Sequence, residues 1–307
     1  MENDTMATTE RTVLQTNTES AEEKAAQNSS RTTSRASHNT MAENSVMDTT
    51  AFITLVRRAP ALAALREQPL DRRDLETCLD VSKPTVHRLT RTLSEMGLVE
   101  RSNGVFALTG LGKAVADMVA EFTRNVETAY RLTPLLETIQ DRYPAFDVAA
   151  FADATVTTAE PSDPYRPVQR YYSLIEETRV LRGFDTTTLS PQHIDAVHRR
   201  VCDGMETELV YPPAVAAHLL SAHPEQMAEM VESGSLDVRV HADISHGLAL
   251  FDERVGIGSY CQTTGALQAF IDTDEPAAYE WAETIYDAYW TEAERFEMHP
   301  SPSLRPV

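Results

Sequence analysis

The amino-acid sequence predicts a chain of mixed α+β and α/β class: a small helical unit closed by a hairpin, a helical connector, then an α/β layer. Three observations predict it. Asn103-Gly104 separates two short apolar runs directly after a helical pattern. A long apolar stripe at helical spacing follows from Leu111. From Phe146 onward, strand-like apolar runs alternate with helical ones. With 307 residues, 42% of them hydrophobic, the chain has room for two domains with their own cores.

Residues 1–47 are rich in Thr, Ser, Asn, Glu and Ala and poor in branched apolar and aromatic side chains. Such a stretch cannot repay its ordering entropy, so a disordered polar tail is expected. Phe52, Leu55, Val56, Leu62 and Leu65 then mark an amphipathic helix, with a kink or boundary at Pro60. Asp71 has the position of an N-cap for Arg72–Leu79. After a turn at Asp80-Val81, Ser82 caps a helix that admits Pro84 in its first turn. Val86, Leu89, Leu93 and Met96 face inward on this helix, leaving Lys83, Thr85, Arg88, Arg91 and Thr92 outward; Gly97 ends it. Leu98–Arg101 and Val105–Leu108 form the hairpin arms. Two helices, a tight turn, a third helix and a hairpin make a winged helix-turn-helix over residues 48–110, whose third helix fits a major groove.

Charge supports this reading. The chain carries 47 acidic and 27 basic residues, for a net charge of −20, yet residues 48–110 return to near neutrality. Contact with a polyanion is a reason for such a stretch. Only three of the basic residues are lysine, Lys24, Lys83 and Lys113, and an acid-rich, lysine-poor surface resembles those of salt-in halophiles. Cys78, Cys202 and Cys261 are too widely spaced for a disulfide framework or a CxxC zinc site and suit a reducing cytoplasm. No apolar run reaches membrane-span length, so a soluble, cytoplasmic protein without membrane contact is expected.

The run DRRDLETCLDVSKPTVHRLTRTLSEMGLVERSNGVFALT resembles the reader domain of archaeal winged-helix transcription regulators. The resemblance implies double-stranded DNA as partner. Lys83, Thr85 and Arg88 are expected near base edges, with Arg91, Arg101 and the hairpin tip at Asn103 near phosphates; Ser82, at the N-cap, is a further DNA-binding candidate. The alternative is that Arg88, Arg91 and Arg101 are solvated surface charges.

In the connector, residues 111–145, Val115, Met118, Val119, Phe122, Val126 and Tyr130 follow a helical period, and Thr133-Pro134 restarts it before Leu135, Leu136 and Ile139. Either this stripe packs on its own core or it forms the interface of a homodimer. Beyond it, strands are expected at Val148–Phe151, Val180–Phe184, Thr207–Tyr211, Leu236–His241, Leu248–Phe251, Val255–Tyr260 and Leu267–Ile271. Helices are expected at Pro167–Glu177, Pro191–Cys202 and Ala214–Val231 and from Pro276, over a mostly parallel layer with some antiparallel strands spanning 146–298, in which Leu248–Phe251 and Val255–Tyr260 form a hairpin around Asp252-Glu253-Arg254. A flexible tail is expected from His299.

The segments RGFDTTTLSP, GMETELVYPP and HGLALFDERVGIGSY resemble the methanogenesis-regulator (FilR-type) sensor domain, which in haloarchaea commonly follows such a winged helix. That implies a domain sensing a small-molecule effector. Strand carboxyl ends select Arg182, Asp185, Thr186, Thr187, Tyr211 and His241 as ligand-binding candidates, suited to a small anionic or polyhydroxylated metabolite. A remoter resemblance joins FDERVGIGSY to the end of the phospholipase D signature. Aligned on Asp252, Gly258 and Ser259, the nucleophile position falls on Ser245, the lysine position on Gly247 and the asparagine position on Cys261, with His246 one residue out of register. Without the lysine a phosphoryl group lacks its cationic clamp, so a degenerate, inactive version of that fold is implied. His193/His198 and His218/His223 are five apart, which suits no common helical metal pair, and GxxxxGK[ST], GxGxxG and GxSxG are absent. No catalytic residue, cofactor or metal is expected. The alternatives to a regulator are an α/β enzyme or a protein-interaction scaffold.

Overall fold

A computed structural model describes residues 48–139, 142–143, 145–187, 191–261 and 263–296. The chain divides into two compact units, meeting at Val119/Ala120. The expected tails, 1–47 and 299–307, lie outside the described residues.

In the first unit the expected opening helix is two helices, α1 (Thr49–Arg57) and α2 (Ala59–Glu67), parted at Arg58. Pro60 has no N–H to donate, and the first turn of α2 is where that lack is harmless. α3 (Arg72–Cys78) opens with a reciprocal cap. The Asp71 carboxylate accepts the Arg73 and Asp74 N–H groups at 2.6 and 2.9 Å, while Asp74 accepts that of Asp71 at 3.1 Å. Asp80 turns the chain at φ 52° into α4 (Lys83–Glu95). Ser82 stands at the N-cap, but its hydroxyl pairs with that of Thr85 at 3.1 Å and makes no cap bond.

The hairpin of β1 (Val99–Ser102) and β2 (Val105–Leu108) pairs Ser102 with Val105 across a turn in which Asn103 and Gly104 take φ 52° and 86°. Both positive values are those of a type I′ turn, whose twist matches the strands. Leu70 adds a bridge to Phe106 on the free edge of β2. Leu62, Leu75, Val86, Leu93 and Leu98 make the core.

α5 (Gly110–Arg131) begins in this unit, where Ala116 and Val119 join the same core. Its first turn passes so close to the hairpin that a Cβ on Gly112 would fall on the Leu98 carbonyl oxygen, whereas one on Gly110 meets nothing within 4 Å. Gly112→Ala should therefore destabilise the first unit by about 1–3 kcal/mol, because backbone must shift to admit the methyl group. Thermal melts of the full chain would check this; Gly110→Ala should leave the midpoint within a degree or two of wild type.

The second unit takes up the end of α5. Leu132, together with Leu135 and Ile139 of α6 (Thr133–Ile139), enters a new core. Val148–Phe151 is a 3-10 turn rather than the expected strand, capped by Asp147 accepting the Ala149 N–H at 2.9 Å. The strand comes later, as β3 (Thr155–Thr158). α7 (Arg166–Glu177), β4 (Val180–Phe184), α8 (Pro191–Cys202) and β5 (Glu206–Tyr211) follow. The single helix expected at 214–231 is two, α9 (Pro213–Ala222) and α10 (Pro224–Glu232), because Pro224 cannot continue the ladder of α9. β6 (Leu236–Val240), β7 (Gly247–Leu250), β8 (Val255–Tyr260), β9 (Leu267–Thr273), α11 (Pro276–Glu292) and β10 (Glu294–Arg295) complete the unit.

The eight strands form one sheet in the order β10-β6-β5-β4-β7-β8-β9-β3. Only β4, β5 and β6 run parallel; the remaining five pairings are antiparallel, so the expected mostly parallel layer is corrected. Helices connect β4 to β5 and β5 to β6, giving the length that a parallel crossover needs. The helix-free links β7–β8 and β8–β9 permit only hairpins. Both faces are covered. α6 and α11 contribute to the core on one face, with Phe184, Val210, Leu250 and Ile257. α7, α8, α9 and α10 pack on the other, with Leu181, Tyr211, Val238 and Phe270.

One buried charge ties α7 to the sheet. Asp272 on β9 is fully buried and accepts two bonds from Arg170, at 2.9 and 2.7 Å, and one from Arg254 at 2.8 Å.

Candidate functional site

Two places in the molecule have the form of binding sites, one in each unit. In the first, α4 is divided lengthwise. Val86, Leu89, Thr90 and Leu93 are buried, and the Thr90 hydroxyl is turned back onto the Val86 carbonyl at 2.9 Å. The other side is bare: Ser82, Lys83, Arg88 and Arg91 are exposed and Thr85 is half-buried. These cations differ in their engagements. Arg91 Nε is held by Glu95 at 2.8 Å along the helix. On the hairpin, Arg101 lies over the Phe106 ring at 5.2 Å, and Asn103 is exposed at the tip. The Lys83 and Arg88 side chains have neither an ion pair nor a hydrogen bond among the described residues, although the Arg88 carbonyl accepts the Thr92 hydroxyl at 2.9 Å.

In the second unit a cavity of about 350 Å³ opens beside α7, lined by Tyr165, Val168, Tyr171, Tyr172, Asp185, Thr187, Tyr260 and Leu267 among others. A smaller pocket of about 20 Å³, room for a water molecule, shares Tyr171, Asp185, Tyr260 and Leu267 as walls and adds Tyr211. Its floor is stripped of side chains. Gly247 and Gly258 pair across β7 and β8, and a Cβ on Gly247 would come within 3.1 Å of the Tyr260 hydroxyl and 3.4 Å of the Asp185 carboxyl carbon.

Asp185, just past the end of β4, is the only ionisable carboxyl group among the described residues lining either pocket, and no Arg, Lys or His joins it. Its Oδ2 accepts the Tyr260 hydroxyl at 2.7 Å, and its Oδ1 accepts the Thr186 and Thr187 N–H groups at 2.6 and 3.2 Å. Burial nevertheless dominates and pushes the carboxyl up to about 6. Tyr171, Tyr172, Tyr211 and Tyr260 surround it, each with its hydroxyl pushed up by burial and so neutral.

This has a measurable consequence for stability. A carboxyl raised in the folded state penalises folding above pH 6, and the penalty fades as pH falls towards its ordinary value near 4. Asp185→Asn should therefore stabilise the protein at pH 7.5, by up to about 3 kcal/mol, and lose that advantage by pH 4. Denaturant titrations at both pH values would check the sign; a variant equally stabilised at both would contradict it.

The six candidate ligand residues do not converge. Asp185, Thr187 and Tyr211 line the two pockets, and Thr186 contributes its backbone N–H to Asp185. Arg182 is on the other face of β4, paired with Glu283 at 2.7 Å and bonded to the Tyr279 hydroxyl at 3.2 Å. His241, past β6, lies 3.7 Å from Glu292, with its ring edge-on to Tyr289.

The positions aligned with the phospholipase D signature are also scattered. Asp252 accepts the Arg179 and Val180 N–H groups at 3.1 and 2.9 Å and the Thr178 hydroxyl at 3.0 Å, fixing the turn into β4. Ser259 bonds the Pro134 carbonyl at 2.9 Å on the α6 side of the sheet. His246 is buried beside Tyr143 and Phe184, and burial pulls its imidazole down to about 4.

The sequence reading missed the tyrosines at 165, 171, 172 and 260, because no short spacing links α7 to β8. It also missed a cluster that does have a signal. His198 and Cys202 are four apart on α8, and with Glu229 of α10 they bring three ligand-type atoms within 4.8 Å of one another. His198 Nε2 and Glu229 Oε2 already satisfy each other at 2.7 Å.

One unit thus presents a bare cationic helix side, and the other an aromatic-walled cavity of about 350 Å³. No described helix is long and apolar enough to cross a membrane.

Residues 164–292 match the family model of the methanogenesis regulatory protein FilR1, middle domain, and residues 46–146 match that of the HVO_A0261 N-terminal domain. The FilR1 match supports a regulatory protein rather than an enzyme. No curated protein matches the chain. Among solved structures it is similar to the archaeal chromatin protein TrmBL2, at 14% identity and a TM-score of 0.39, covering 79% of this chain and 94% of that one. It is also similar to Nuc, a phospholipase D family member from Salmonella typhimurium, at 14% identity and a TM-score of 0.37, covering 47% and 99%. NucT from Helicobacter pylori gives 12% identity and a TM-score of 0.38, covering 47% and 98%. At such scores these likenesses are remote and decide nothing about activity.

Proposed function

We propose that the chain is a sequence-specific, DNA-binding transcription regulator whose C-terminal unit senses a small-molecule effector. One observation carries the reading: α4 buries Val86, Leu89 and Leu93 and leaves Lys83, Arg88 and Arg91 exposed, beside a hairpin that carries Arg101. A helix of that length with a cationic outer side, next to a two-stranded wing, has the form of a winged-helix reader. Lys83 and Arg88 are the base-reading candidates, with Ser82 and Thr85 beside them, while Arg101 and the tip at Asn103 would track phosphates. The matches to a regulator's middle domain and to the HVO_A0261 N-terminal domain lend support.

Two protomers would pair through the exposed side of α5, so that a homodimer reads two half-sites. An effector favouring one arrangement of the C-terminal units would then shift operator affinity, and operator would shift effector affinity by the same factor.

The test begins with crosslinking of the tagged protein to genomic DNA, followed by fluorescence anisotropy on the recovered site. Arg88→Ala should weaken specific binding about 10-fold, in line with the loss of one base-edge contact. Few cations are offered, so the slope of log affinity against log salt should be no steeper than about −4 per protomer. Failure to recover discrete genomic sites would reject the reading, and a much steeper slope would show that phosphate contacts dominate.

A further inference from the structure

The lining of the cavity beside α7 selects among classes of ligand. We propose that this cavity binds an organic cation, an amine carrying a small apolar or aromatic body, with the charged head against Asp185. The inference rests on the reading of the C-terminal unit as a sensor but concerns the chemistry of the site itself.

The choice among ligand classes follows from what lines the cavity. Its one ionisable carboxyl group is Asp185, and among the described residues no basic side chain faces it. An anion would meet a carboxylate with no cation to offset it, so the acidic metabolites that the sequence suggested are disfavoured. A polyhydroxylated neutral ligand needs several donors and acceptors. Beyond Asp185, Thr187 and the tyrosine hydroxyls, however, the wall is Pro164, Val168, Gly265, Ala266 and Leu267. It would also leave the buried charge of Asp185 uncompensated.

A cation meets each feature. The carboxylate supplies the counter-charge, and the aromatic lining of Tyr171, Tyr172 and Tyr260, with one side of the Tyr172 ring on His193, favours a cation. The apolar end of the 350 Å³ cavity receives the body of the ligand. The two N–H donors on Oδ1 and the Tyr260 hydroxyl on Oδ2 hold the carboxylate in place without neutralising it. The bare floor at Gly247 and Gly258 lets the Tyr260 ring lie close to the sheet, beside Asp185. The groups facing Asp185 are Tyr171 and Tyr172 from α7, Tyr211 from β5 and Tyr260 from β8, all neutral at physiological pH. His193, its ring stacked on Tyr172 at 3.6 Å and its pKa lowered by burial, is the other titratable group beside the cavity, so the pH dependence is also measured in His193→Gln, where it should persist. The Asp185 carboxyl titrates at about 6 in the free protein, and a bound cation favours the charged form. Cation binding below that pH must expel a proton.

Three probes with one aromatic body and different heads separate the classes: 2-phenylethylammonium, 2-phenylethanol and 3-phenylpropionate, each titrated calorimetrically into the full-length protein. The ammonium should bind at least 10-fold more tightly than the alcohol, and the carboxylate should not bind. Between pH 7.5 and pH 5 the ammonium affinity should fall about 10-fold, with net proton release read from buffers of different ionisation enthalpy. Asp185→Asn should abolish ammonium binding while remaining folded by circular dichroism. Tyr172→Ala, which removes one ring and leaves the carboxylate, should weaken it. Equal or tighter binding of the alcohol or the carboxylate overturns the proposal, as does binding of none of the three. If the ammonium binds as described but leaves operator affinity unchanged, the cation site stands and the sensor reading fails.

Discussion

Asp272→Ala should lower the stability of the second unit by about 3 kcal/mol, a drop of roughly 6–12 °C in its melting midpoint. The size follows from what the substitution leaves behind. Arg170 and Arg254 converge on one fully buried carboxylate, with side chains only 33% and 28% exposed. Removing the acceptor strands two guanidinium groups in a partly dry place. Arg254 keeps Asp274 as a second partner at 2.8 Å, while Arg170 has no other carboxylate in contact with it among the described residues. Arg170→Met/Asp272→Leu should accordingly recover part of the loss, since removing both charges is milder than orphaning one. Calorimetry of the three proteins would decide; a loss below about 1 kcal/mol in Asp272→Ala would mean that the cluster is effectively solvated.

The second large effect concerns assembly. Leu111, Met118, Val126 and Tyr130 lie along one side of α5 and are exposed in the single chain, Met118 by 63% and Tyr130 by 78%. Large apolar groups repeated on one helix face favour a helical partner, and a second copy of α5 offers a self-complementary surface. Met118→Asp/Tyr130→Asp should convert the proposed dimer into a monomer by light scattering. It should also weaken operator binding about 100-fold or more, because the second half-site no longer binds as part of the same molecule. An unchanged mass would place the interface elsewhere. A monomer with wild-type affinity would show that one reader suffices.

The local code was legible wherever chemistry between near neighbours decided the structure. Asp71 at the head of α3, Asn103-Gly104 at the hairpin tip and Pro60 at the start of α2 each dictate the backbone within a turn of themselves. Pro224 carries the same kind of local signal, but the single helix expected at 214–231 passed over it, because the apolar run through Leu219, Leu220, Met227 and Met230 reads as continuous. The β7–β8 hairpin was legible from its short Asp252-Glu253-Arg254 link, but the direction of the strands around it was not, because parallel and antiparallel pairing depends on which strands become neighbours. β7 settles against β4 instead of β6, the strand that precedes it in the chain. The cavity shows the same limit. Asp185 could be found at a strand end, but the tyrosines around it come from α7, β5 and β8 and meet only once the sheet forms. Arg182 has the opposite history: two residues after Val180 it looks suited to a pocket, yet strand alternation turns it towards α11.

The seam where β4 has a parallel neighbour on one side and an antiparallel one on the other gives the fold an adjustable part. β7 enters beside the point where β4 leaves, which is why Gly247 lies next to Asp185. A methyl group there would trim the chamber beside the carboxylate without touching the hydrophobic layer across the sheet. The volume of this chamber could thus be changed one atom at a time from a single backbone position, leaving the pairing of the sheet intact.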